Sequence, residues 1–279
     1  MRRAERTTGS TPRLAGVVRS GSSVAALPRR DRVFIASCIL LITALAWAYL
    51  VHLDHQMSSS VKPAAVMAKM GMMMDAPWGA PDVFFTFVMW AVMMVGMMSA
   101  TATPVLLLFA EIHARRAERS VAIAVLLFGL GYITVWLGFS ASAALAQWAL
   151  HQAALLSSQM AASSPRLGGT ILIVAGAYQL TPAKGACLRH CQSPLGFLMS
   201  NWRDGARGAL QMGLRHGSYC LGCCWALMCV LFVVGIMNLA WVGALTAFIL
   251  LEKVGRTGAR VARIGGVIMV AFGIFFVAS

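Results

Sequence analysis

The chain has 279 residues, of which 59% are hydrophobic and only 11% charged, with a formal net charge of +14. A soluble domain carries about twice that share of charge, so a soluble enzyme with a single anchor is excluded. The basic excess lies in the amino-terminal tail and in alternate loops, as the positive-inside rule expects, so membrane lipid is the expected partner and nucleic acid is not.

Residues 1–32 hold eight arginines against Glu5 and Asp31, with Ser, Thr, Gly and Pro between them, and read as a basic, disordered cytoplasmic tail. Residues 33–279 read as one transmembrane metal-binding domain. Its first span is the apolar run 33–51, too long for the core of a signal peptide. Residues 52–82 are expected as an extracytoplasmic loop rich in His and Met. A second span over 83–110 ends at the basic His113-Ala114-Arg115-Arg116, and a third covers 121–148. The fourth, 167–180, is closed by Pro182, which opens a cytoplasmic loop with Lys184, Arg189, Arg203 and Arg207. A short interfacial helix is expected over 195–202. The fifth span is placed at 218–237, continuing a helix begun near Gly208, and the sixth at 241–251. Glu252-Lys253 is expected to mark the boundary after it, and the seventh span is 264–278. The fold class is therefore all-α, a polytopic transmembrane helix bundle of about seven spans with the amino terminus inside.

Sulfur is concentrated in two places. Five cysteines and two histidines fall within residues 187–224. Cys187 and Cys191 are four apart and share one face of a helix. His216, Cys220, Cys223 and Cys224 follow a 4-3-1 pattern that also makes one face. A single connector separates the two groups, so both lie at the same membrane boundary. Thiolates with an imidazole select Cu(I) or Zn(II) over hard cations, and a cytoplasmic position keeps them reduced.

The second concentration is methionine: eleven of eighteen lie between Met57 and Met98. Met89, Met93 and Met97 form an i, i+4, i+8 stripe, with Met94 and Met98 beside it. The run Met70-Gly71-Met72-Met73-Met74-Asp75 lies in the expected outer loop, near His52 and His55. Thioethers favour Cu(I) over Zn(II), although methionine also packs buried helices generally.

The pattern Tyr178-Gln179-x-Thr181-Pro182-x-Lys184-x-x-Cys187-Leu188-x-x-Cys191, followed by His216-Gly217-x-Tyr219-Cys220-x-Gly222-Cys223-Cys224-Trp225, resembles a bacterial family of predicted metal-binding integral membrane proteins. One member of that family is a copper chaperone serving a polyphenol oxidase. Trp90-x-x-Met93-Met94-x-x-Met97-Met98, Asn238-x-x-Trp241 and Glu252-Lys253 fit the same resemblance, which runs from about Trp78 to the carboxyl terminus. It implies a multi-pass protein of the bacterial inner membrane that delivers copper to a cuproenzyme client.

The sequence thus leads to a non-enzymatic copper-binding membrane protein, a chaperone or delivery protein for Cu(I), with zinc as the alternative ion. The expected ligands are Cys187, Cys191, Cys220 and Cys224, with His216 and Cys223 as exchange partners and Met93 and Met97 on the path beyond. Two other readings compete. Cys220-x-x-Cys223 has the spacing of a redox pair, which would make a membrane thiol oxidoreductase. A structural membrane subunit would use none of this chemistry.

Overall fold

The computed structural model describes residues 28–69, 78–116, 121–156, 161–236, 238–254 and 257–279, with residues 57–69 described as backbone alone. The regular elements are α1 (Arg29–Lys69), α2 (Ala80–Arg115), α3 (Val121–Gln152), α4 (Pro165–Gln179), α5 (Pro182–Gln192), α6 (Pro194–Asn201), α7 (Gly205–Cys229), α8 (Leu231–Val234), α9 (Leu239–Val254) and α10 (Gly258–Ala278). Among the described residues five helical stretches are long and apolar enough to cross a membrane, or six if the bent pair α4–α5 is one broken span. α9, with 16 residues, is shorter than the roughly 20 that a straight crossing takes.

Two expectations for the amino-terminal region change. α1 begins at Arg29, ahead of the expected start at 33, and continues unbroken to Lys69. His52, Asp54 and His55 therefore stand on a helix and not in an open loop. The basic residues 1–27 and the Met70–Asp75 run lie outside the described residues, as do the side chains of Met57 and Met67.

Proline sets the break that matters most. Thr181 caps α5 by accepting from the Lys184 backbone N–H (3.3 Å), and Pro182 occupies the first turn. A residue before proline is pushed out of helical conformation, so the chain stops after α4 and restarts. The two axes meet at 64°. That bend lays α5 against α7, and with it Cys187 and Cys191. At its other end α7 gives way at Val230 to the single turn of α8, which ends at Gly235, where φ is +92°.

Glycines set how closely the helices approach. Gly169 and Gly176 of α4 face Gly273 and Gly266 of α10, in antiparallel order. A Cβ on Gly176 would stand 2.6 Å from the Gly266 carbonyl oxygen. Gly131 of α3 and Gly213 and Gly217 of α7 serve a second tight pair, in which a Cβ at Gly213 would collide with the Phe128 carbonyl. Small residues bring membrane helices together in this way, trading side chain for backbone contact.

The contacts also fix helix direction. α1 and α2 are antiparallel: Trp47 donates to the Gly96 carbonyl (3.2 Å) and Arg32 reaches Glu111 (3.4 Å). α2 and α3 are antiparallel, with Trp90 donating to Gln147 (2.8 Å) near one end and Phe109 against Phe128 near the other. α3 and α7 run parallel, Phe128 meeting Gly213 and Tyr132 meeting Gly217. Large side chains such as Phe34, Leu40, Phe85, Leu126 and Phe275 face outward, so the bundle is apolar outside as well as in its core.

Candidate metal centre

The 4-3-1 spacing on α7 does what helical geometry requires: His216, Cys220, Cys223 and Cys224 all point into the protein and are buried. α5 crosses them and brings the other pair. The Cys191 and Cys223 sulfurs are 3.9 Å apart. Cys187 lies at the half-buried rim over Gly222, where a Cβ would stand 2.8 Å from its sulfur, so only a glycine fits there without a shift. The Tyr178 hydroxyl donates to the Gly222 carbonyl and ties α4 to the same turn. The described cysteines are all free thiols.

Each buried thiol has a defined protein partner. The Cys223 and Cys224 thiols both donate to the Cys220 carbonyl, at 3.1 and 2.8 Å. The Cys220 sulfur takes a charge-assisted hydrogen bond from the Lys253 ammonium at 2.9 Å. The Tyr132 hydroxyl lies 3.0 Å from the same sulfur and 3.3 Å from the Met98 carbonyl. Lys253 also donates to Thr101 Oγ1 (3.3 Å). With the thiols turned this way, no three His, Cys, Asp or Glu side chains among the described residues are set to hold an ion between them. What is preformed is a pair of sulfurs bridging two helices.

Glu252 and Lys253 do more than the reading of the sequence assigned them. They lie in the last turn of α9, yet are buried, 1% and 8% exposed. As neighbours on α9 they project about 100° apart and meet different partners. Glu252 forms an ion pair with Lys184 of α5 (2.7 Å), whose side chain is also 1% exposed, and accepts from Gln179 of α4 (3.1 Å). Lys184 also bonds Gln179, and Gln192 at the end of α5 donates to the Glu252 carbonyl (2.7 Å). This clasp holds the cysteine-bearing α5 in place, while Lys253 reaches into the thiol cluster. A charged pair closing a short apolar helix was the available signal, since ionisable groups at membrane depth usually have a task. Nothing in the sequence singled out Thr101 or Tyr132.

His216 sits one turn before Cys220, enclosed by rings: Phe197 at 4.9 Å, Tyr132 at 5.8 Å and Phe128 at 6.1 Å between centroids. Its Nδ1 is buried with no hydrogen-bond partner among the described residues. Met93 and Met97 are fully buried on α2, together with Met89, Met94 and Met98. All five belong to the same core as Cys220, Cys223 and Cys224. The stripe therefore begins beside the thiols, at Met98, and runs away from them toward Trp90.

A family model described as copper chaperone, PpoB2, matches residues 87–276. That stretch takes in both cysteine helices, the clasp and the methionine stripe. No curated protein and no solved structure matches the chain.

Proposed function

Because this chain belongs to the copper chaperone family, matched from residue 87 to residue 276, we propose that it is a multi-pass inner-membrane protein that receives Cu(I) on Cys191 and Cys223 and passes it to a cuproenzyme. The supporting observation is the sulfur pair across α5 and α7, 3.9 Å apart. Two metal–thiolate bonds of about 2.3 Å each span at most ~4.6 Å between sulfurs, so a two-coordinate ion needs less than an ångström of adjustment. Zinc requires four ligands in a tetrahedron, and no such set is preformed among the described residues.

Transfer then proceeds by ligand exchange, with no substrate bond made or broken. Cys220 and Cys224 are the next sulfurs within reach, and Cys187 is the one at the rim where cargo can enter. His216 offers its buried Nδ1 on the same helical face. The thioethers of Met97 and Met93 extend a soft path along α2, and they hold Cu(I) better than Zn(II).

The test is Cu(I) titration of the purified full chain in detergent under anaerobic, reducing conditions. About one tightly held Cu(I) per chain is expected, lost in Cys191→Ser/Cys223→Ser. Undiminished stoichiometry in that double variant would reject the assignment. A reversible Cys220–Cys223 disulfide in protein that takes up no metal would favour the thiol oxidoreductase instead.

A further inference from the structure

We propose that Lys253 is the residue by which the site discriminates between metals: its buried ammonium acts as a fixed positive charge beside Cys220 that admits a monovalent ion and disfavours a divalent one. This rests on the reading of the cysteine cluster as a Cu(I) site.

The molecule buries two lysines near the thiols, and they are electrically different. Lys184 faces the Glu252 carboxylate at 2.7 Å, so the pair is neutral as a unit. Lys253 has no carboxylate against it among the described residues. Its partners are the Cys220 sulfur (2.9 Å) and the Thr101 hydroxyl (3.3 Å). It enters from α9 and is largely buried. An ion held beside Cys220 by the sulfurs of α5 and α7 thus lies next to this positive charge, in a largely buried site with little water to screen it.

The repulsion scales with the charge of the ion, so a dication meets twice the penalty of a monocation at the same place. At a low effective dielectric, one extra unit of metal charge at that range is worth more than a factor of ten in affinity. Softness of the ligands alone leaves Zn(II) a competitor for thiolates. The lysine adds a discrimination by charge that softness does not supply.

The readout is the ratio of Cu(I) to Zn(II) affinity, each ion competed against a chromophoric chelator, on the full chain in detergent. A ratio cancels effects of a variant on folding and on access to the site that both ions share. Lys253→Met should move the ratio toward zinc by roughly tenfold or more, while Lys253→Arg keeps it. Thr101→Asp neutralises the ammonium without removing it and should move the ratio the same way, so the test survives misfolding of either variant. A wild-type ratio in folded Lys253→Met or Thr101→Asp overturns the inference and leaves Cu(I) binding standing. Wild-type protein that binds no Cu(I) overturns both.

Discussion

A buried charge costs free energy unless something answers it, and the site answers its charges in two ways. Lys184 and Glu252 answer one another across α5 and α9, both 1% exposed. Removing one partner of such a pair leaves the other charged and dry, which typically costs about 3–5 kcal/mol, whereas replacing both by apolar side chains is often neutral. Lys184→Met should therefore destabilise the protein by about that amount, and Lys184→Met/Glu252→Met should recover most of it. Unfolding in detergent of the two single variants and the double closes the cycle, and additive losses would show that the pair is not coupled. Function should follow a different order. Without its anchor α5 can shift, so the double variant regains stability while Cu(I) affinity stays low. Sequence reading could not reach this pair: spacing puts Cys187 with Cys191 on one face, but residues 184 and 252 meet only through the fold.

At the scale of elements, the parts that hold the site are governed by where backbone approaches backbone. Gly213 of α7 lies against the Phe128 carbonyl of α3, with no room for a methyl group, whereas Gly138 of α3 has nothing within 4 Å of a built Cβ. Gly138→Ala should be neutral or stabilising by up to about 1 kcal/mol, the helix-propensity difference. Gly213→Ala should cost more than ~2 kcal/mol, because α7 must move as a body or the backbone must strain. It should also weaken Cu(I) binding, since α7 carries Cys220, Cys223 and Cys224 on the helix that shifts. Equal stability of the two variants, measured by thermal unfolding, would show that α3 and α7 are looser than they stand here. Helix positions were largely legible because apolar runs of membrane length write their own boundaries. The break at Pro182 was legible too, from proline, and the helix expected to begin near Gly208 begins at Gly205. The extent of α1 was not: polar residues such as His52, Asp54 and His55 suggest a loop, yet the long helix carries His52 and His55 exposed and Asp54 half-buried.

For the whole molecule the question is which way it faces. The helix directions bring the amino end of α1, the carboxyl end of α2, α5, the amino half of α7, the carboxyl end of α9 and the amino end of α10 to one side, linked by Arg32–Glu111, Arg116–Asp204 and Lys184–Glu252. Arg29, Arg30, Arg115, Arg189, Arg203, Arg207, Arg260 and Arg263 all belong to that side. The opposite side has Trp78 edge-on to His151, 4.5 Å between ring centroids, and exposed Trp148 and Trp241, the indole-rich composition of an interface. The positive-inside rule predicts that the basic side is the cytoplasmic one; in that proposed orientation the cysteine cluster faces cytoplasmic copper and the methionine stripe runs outward. The short α9 and the bent α4–α5 pair must each reach across for this to hold, so the carboxyl terminus is the sensitive place to test it. A reporter active only outside the cell, fused after Ser279, should be active. The same reporter inserted between α5 and α6, at Ser193, should be silent, and an impermeant thiol reagent should reach rim Cys187 only from the cytoplasmic face of inverted vesicles. Activity at Ser193 with silence at Ser279 would invert the protein, and the sulfur cluster would then face outward.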